Sequence, residues 1–257
     1  MIDPSHTVID TRPSAPVSAP ELRLEGVTAG YYAHDVVLNG VTIDAVPNKV
    51  TAVLGPNGSG KSTALRVLAG FVAARSGAVL LDGRDISSTA THDRLSMGIG
   101  FLPQGRSVFP RLTVEENLQV GARHLRSRTA ELRDAIALAF ERYPTLVPKR
   151  RSRAGSLSGG QQRLLEIARL LVTQPSVLLI DEPSAGLSPL LADVAYAEIA
   201  RLRAEGRTVL LVDQNVNAAI ELADYVHVLA FGRNQSSGPV EEYRDLDRLV
   251  RSWLRAE

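Results

Sequence analysis

The stretch Gly55-Pro56-Asn57-Gly58-Ser59-Gly60-Lys61-Ser62 constrains this chain more than any other. An apolar run, Val50, Ala52, Val53 and Leu54, precedes it and reads as a buried strand. Ala64-Leu65-Arg66-Val67-Leu68-Ala69 follows, with apolar residues at helical spacing. Strand, glycine-rich turn and helix in that order are the context a phosphate-binding loop requires. The glycines let the backbone curl so that successive N–H groups face phosphate oxygens. The helix N-terminus adds partial positive charge. Lys61 then reaches the β- and γ-phosphates, the Ser62 hydroxyl is placed to ligate Mg²⁺, and Gly55 to Thr63 together form the candidate nucleotide cradle. The implied ligand is a nucleoside triphosphate.

Around this loop, strands and helices alternate. Val177-Leu178-Leu179-Ile180 and Arg207-Thr208-Val209-Leu210-Leu211-Val212 read as central parallel strands covered on both faces. A helix over Leu190 to Ala204 lies between them, with apolar positions Leu191, Val194, Ala195, Ile199 and Leu202. Strands at Ala78 to Leu81 and Ile99 to Leu102 precede them, and Val226 to Gly232 closes the series as one more strand. Such alternation predicts an α/β fold with a parallel sheet. From Glu21 to Asp44 the pattern instead shows short β pieces, Leu22/Leu24, Val36 to Leu38 and Val41/Ile43, separated by turns at Gly30, Asn39-Gly40 and Pro47-Asn48. That predicts an antiparallel sheet. A helical insert spans roughly residues 106 to 155, with Thr113 as a cap ahead of Glu115 and Glu116 and no strand pattern. Its run Lys149-Arg150-Arg151-Ser152-Arg153 has no interleaved aromatics and reads as a solvated loop rather than a nucleic-acid patch.

Composition narrows the function. A net charge of +1 over 257 residues gives no global attraction to nucleic acid, so none is expected as a partner. With no cysteine, disulfides, thiolate metal sites and cysteine nucleophiles are excluded. No apolar run approaches the ~20 residues that span a bilayer. Residues 1–20, with Pro4, Pro13, Pro16 and Pro20, have neither a basic start nor an apolar centre, and read as a flexible tail rather than a secretory signal. A soluble chain on the cytoplasmic side is expected.

Two further motifs carry chemistry. The strand Val177 to Ile180 ends in Asp181-Glu182. In phosphate-loop proteins such an aspartate holds Mg²⁺, and a glutamate after it can orient or deprotonate the attacking water. Leu157-Ser158-Gly159-Gly160-Gln161-Gln162-Arg163 opens a helix and forms a second phosphate cradle. One triphosphate does not readily occupy two cradles of a single chain. A head-to-tail dimer, in which each cradle closes on the γ-phosphate held by the other subunit, resolves this.

At this point the chain resembles the ATP-binding subunit of an ABC transporter, over roughly Glu21 to Gly238. The resemblance implies ATP with Mg²⁺ as cofactors and a single ATP-binding domain over 21–240. That domain would combine a parallel-sheet core, an antiparallel β subdomain and a helical subdomain at about 106–155. A C-terminal helix would follow over 241–257. Tyr31, rather than Tyr32, would stack on adenine. Gln104 would contact Mg²⁺ and water and sense the transporter. Ser158, Gly159, Gly160 and Gln161 would serve the ATP of the opposite subunit, a copy or a paralogue. The implied partners are two transmembrane permease subunits, one lending a short helix to a groove of the insert, and indirectly an extracytoplasmic substrate-binding protein. The chain would sit peripherally on the cytoplasmic side of the membrane.

Two positions depart from that superfamily. Where histidine is usual the chain has Gln214, which can donate to a γ-phosphate but carries no charge, and Ser188 stands where aspartate is usual. Both departures, and the run Phe101 to Leu118, are similar to the second ATP-binding subunit of branched-chain amino acid importers and its urea and amide relatives. The expected catalytic set is Glu182, Lys61, Gln214 and Gln104, with Ser62, Gln104 and Asp181 toward the metal. The ABC ATPases that act on DNA or ribosomes carry two such domains or a long coiled coil. This chain has one phosphate loop and no sustained heptads.

Overall fold

The computed structural model describes residues 20–105, 107–122 and 129–245. In chain order the elements are β1 (Leu22–Ala29), β2 (Leu38–Ala45), β3 (Val50–Leu54), α1 (Lys61–Leu68), β4 (Ala74–Leu81), β5 (Arg84–Asp85), α2 (Thr91–Ser96) and β6 (Ile99–Leu102). Next come α3 (Val114–Gly121), α4 (Thr129–Arg142), α5 (Gly159–Leu171), β7 (Val177–Asp181), α6 (Pro189–Ala204), β8 (Thr208–Val212), α7 (Val216–Leu222), β9 (Tyr225–Ala230) and β10 (Arg233–Pro239). The strands form two sheets: β2-β1-β4-β5, all antiparallel, and β10-β9-β3-β8-β7-β6, parallel except for β10. This is the α/β, mixed-sheet architecture that the sequence predicts.

The unbroken apolar strands are explained by what covers them. Alternate residues of β7 and β8 feed two different cores. Leu178, Ile180, Val209 and Leu211 pack with α5 and the helices of the insert, while Val177, Leu179, Leu210 and Val212 pack with α1 and the antiparallel sheet. With both faces covered, no strand position can be polar without a partner. The sheet therefore presents its chemistry only at its strand ends.

Several local expectations change. Asn39 and Gly40 do not form a turn but lie inside β2, where Gly40 takes φ +68° beside an irregular stretch of the β1–β2 register. The strand Val226 to Gly232 is one arm of a hairpin. Phe231 (φ 49°) and Gly232 (φ 69°) form its two-residue loop, and β10 returns antiparallel. The hairpin escapes a sequence reading because Phe-Gly is not a customary pair for two left-handed residues. In the predicted helix at 190–204, Ala195, Ile199 and Leu202 are buried, but Val194 is exposed. Short β5, α2 and α7 have no clear periodic signature. Of the helix expected from about Glu241 to Leu254, the structure describes a 3₁₀ turn at Val240–Tyr243 and no regular structure at 244–245, and residues from 246 onward lie outside the described residues, as do residues 1–19.

The insert begins as its sequence predicts. Thr113 Oγ1 accepts the Glu116 N–H at 3.2 Å and Glu116 Oε2 accepts the Thr113 N–H at 2.7 Å, a reciprocal cap. Within the basic run, Arg151 and Arg153 are exposed, whereas Arg150 pairs with Glu115. Thr113→Ala is expected to lower stability by about 1 kcal/mol. Urea unfolding checks this, and an unchanged midpoint and slope would show that the cap contributes nothing.

Candidate functional site

The phosphate loop joins β3 to α1, as its sequence requires. At Gly55 the backbone takes φ +145°, and an added Cβ would overlap the Leu229 carbonyl oxygen, so only glycine fits. Gly60, at φ +99°, is the N-cap of α1 and brings no capping side chain, which leaves the first-turn N–H groups available to an anion. Lys61 is buried, and its ammonium donates to the Gly55 and Pro56 carbonyls at 2.8 and 2.9 Å. Burial lowers its pKa, opposed by the nearby charges of Glu182 and Asp181.

Strand β7 delivers Asp181 and Glu182 to the same place. Asp181 is fully buried, and its Oδ1 accepts the Ser62 hydroxyl at 2.9 Å while its Oδ2 has no partner. Burial raises its pKa, with the Ser62 hydrogen bond opposing. A buried carboxylate oxygen left over beside a serine hydroxyl is a donor set that fits a hard cation such as Mg²⁺. Among the described residues no group of three acidic or histidine side chains could hold an ion alone. An ion there would complete its shell with phosphate oxygens and water.

Glu182 is held at both ends. Its carboxylate, 7% exposed, accepts the Gln104 amide at Oε2 and the Gln214 amide at Oε1, the latter at 2.8 Å. Its backbone is in the left-handed region, φ 47°, with the N–H on the Val212 carbonyl at 2.7 Å. A non-glycine residue there is strained and persists only where its surroundings impose it. Gln104 and Gln214, each expected to face the ion or the γ-phosphate, thus converge on Glu182.

Two other expectations take a particular form. Tyr31 is half-exposed; its hydroxyl accepts from Arg66 at 2.6 Å and meets Thr63 Oγ1 at 3.2 Å, which fixes the ring beside α1. Tyr32 is largely exposed and makes no such contact to α1. The turn Ser158 to Gln161 caps its own helix, with Ser158 Oγ accepting from the Gln161 N–H and Gln161 Oε1 accepting from the Ser158 N–H. It makes no hydrogen bond to the phosphate loop. Its glycines differ: a Cβ at Gly160 would overlap Leu191, whereas one at Gly159 meets nothing within 4 Å. Sequence reading missed the convergence of both glutamines on Glu182, and also the buried ion pair of Arg163 and Glu166 on α5. The i,i+3 spacing of that pair was the available signal.

Comparison with known proteins identifies the family and the fold. A family model described as ABC transporter matches residues 38–185. LivF of Archaeoglobus fulgidus, a probable branched-chain amino acid transport ATP-binding protein, is 40% identical over 222 residues, covering 86% of this chain and 93% of the relative. LptB of Haemophilus influenzae, a lipopolysaccharide export system ATP-binding protein, is 33% identical over 233 residues, covering 91% and 96%. A solved nucleotide-free ATP-binding cassette from an ABC transporter superposes with a TM-score of 0.79 at 28% identity, covering 91% of this chain and 98% of that one.

The two kinds of glycine separate by mutation. Gly55→Ala is expected to cost about 2 kcal/mol or more, from an overlap with fixed backbone plus an unfavourable φ. Gly159→Ala, at an open helical position, is expected to leave stability unchanged or slightly raised. Thermal unfolding of both checks this, and equal losses would contradict it.

Proposed function

Since the chain belongs to the ABC transporter family and is an ATP-hydrolysing subunit of a transporter, we propose that it powers the uptake of branched-chain or related amino acids. The observation that carries the hydrolytic assignment is the Glu182 carboxylate, nearly buried, gripped by two amides and set beside the Ser62–Asp181 pair of the phosphate loop. In this reading Gly55 to Thr63 cradle the phosphates, Lys61 moves from loop carbonyls to phosphate oxygens, and Tyr31 stacks on adenine. Ser62 and Asp181 would hold Mg²⁺, which, when bound, would neutralise phosphate charge. Glu182 orients the attacking water and accepts its proton. The water oxygen bonds to the γ-phosphorus as the bond to the β,γ-bridging oxygen breaks, and ADP leaves with that electron pair. Gln104 and Gln214 act by holding Glu182.

The second cradle completes the site from another subunit. Ser158 and Gln161 satisfy one another, but the Gly159 position is open, which supports close approach of a phosphate held by a copy or a paralogue arranged head to tail. Two permease subunits and, indirectly, an extracytoplasmic binding protein are the further partners, and the chain lies on the cytoplasmic face of the membrane. Among the described residues no helix is long and apolar enough to cross it. A groove of about 660 Å³ between the core and the insert, lined by Phe71, Leu95, Phe101, Pro103, Arg169 and Leu170, supports docking of a short permease helix.

Branched-chain amino acids are favoured over lipopolysaccharide as cargo by the likeness to the LivF relative, named for branched-chain amino acid transport, at 40% identity against 33% for LptB. The test is Glu182→Gln. ATP affinity is expected to stay within about twofold while kcat falls by about two to four orders of magnitude, the contribution of a positioned base. In cells that depend on this chain for uptake, the variant should abolish entry of labelled leucine. Retained turnover would overturn the role of Glu182. Loss of labelled urea entry without any effect on leucine would move the cargo to urea or amides.

A further inference from the structure

Helix α5 carries a polar network that the reaction as described does not use. Arg163 and Glu166, with side chains 7% and 2% exposed, form an ion pair at 2.8 Å. The Arg163 fork also donates to the Pro183 carbonyl at 3.0 Å and to the Glu182 carbonyl at 3.4 Å. The other Glu166 oxygen accepts the N–H groups of Ser107 and, at 3.2 Å, Val108. One turn on, Arg169 donates to the Ser107 carbonyl at 2.7 Å and its hydroxyl at 2.8 Å and lies over the Phe109 ring. Three residues before Ser107 stands Gln104, whose amide holds the Glu182 carboxylate. Glu182 is thus gripped at its carboxylate by Gln104 and at its carbonyl by Arg163, and Glu166, the ion-pair partner of Arg163, also holds Ser107, three residues beyond Gln104 in sequence.

Stability alone does not account for two charges in this position. A well-packed apolar pair of similar volume is commonly as stabilising as a buried ion pair, or more so. What apolar side chains cannot do is hold two backbone carbonyls and two N–H groups of separate segments in a fixed relation. One of those segments contains the strained φ of Glu182, and the other is held by Glu166 and Arg169, two residues that line the apolar groove.

We propose that the Arg163–Glu166 pair is a positioning device for hydrolysis, which ties the backbone of Glu182 to the 107–108 segment so that the seating of that segment sets the orientation of the carboxylate. The inference rests on the reading of Glu182 as the water-orienting group. Removing Arg163 alone would strand a buried carboxylate, so the informative variant is Arg163→Met/Glu166→Leu, which keeps the volume and removes both charges. It is expected to unfold cooperatively and to bind ATP with an unchanged KM, while kcat falls at least about tenfold, the signature of an interaction that matters in the transition state and not in binding. Arg163→Lys keeps the charge and loses the fork. It is expected to lower kcat at least about fivefold at unchanged KM. If both variants turn over within about twofold of the parent while Glu182→Gln is inactive, the proposal is overturned and the pair is structural. If Glu182→Gln itself remains active, the underlying reading of Glu182 has failed instead.

Discussion

The burial of three charges, Lys61, Asp181 and Glu182, at the carboxyl ends of a parallel sheet is the constraint from which the rest of the site follows. At 7%, 0% and 7% exposure they have lost nearly all their water. Each must be compensated from within the chain, and the compensation differs. Lys61 lies on two loop carbonyls and in the field of both acids. Asp181 has one serine hydroxyl and keeps one oxygen unpaired. Glu182 is held by two neutral amides, one on each carboxylate oxygen, which fix its orientation without pairing it with a cation.

The scaffold exists to make that burial possible. Covering β7 and β8 on both faces leaves their ends as the only places where polar groups can gather, in line with the rule that open parallel sheets bind ligands at the carboxyl ends of their strands. The antiparallel sheet brings Tyr31 to α1 through Thr63 and Arg66. Strand β6, paired with β7, brings Gln104 to Glu182, and α5 holds the following segment at Ser107. A single helix, α5, thus links the Ser158–Gln161 turn, the ion pair behind Glu182 and the groove lined by Arg169 and Leu170.

Much of this was legible in the chain because it rests on local rules. The loop from Gly55 to Ser62, the apolar strands on either side of the 190–204 helix and the Thr113 cap are each fixed by neighbours in sequence, and each is found where the residues place it. The Phe231-Gly232 hairpin was not legible, since it needs a left-handed phenylalanine that pairing with β9 imposes, and local preference would reject it. The pieces of the site were recognisable one at a time, yet their convergence was not. That Gln104 and Gln214, 110 residues apart by their numbers, meet on opposite oxygens of one carboxylate depends on strand order β8-β7-β6, which no spacing encodes.

Whether the two amides act through Glu182 is read from a kinetic cycle, with kcat measured for Gln104→Leu/Gln214→Leu in the parent and in the Glu182→Gln background. If the amides serve to hold the carboxylate, their removal lowers kcat in the parent and has almost no further effect once the carboxylate is gone, because residues that act as a unit are strongly non-additive. Losses that multiply independently in the two backgrounds would contradict the account and place the amides on the nucleotide instead.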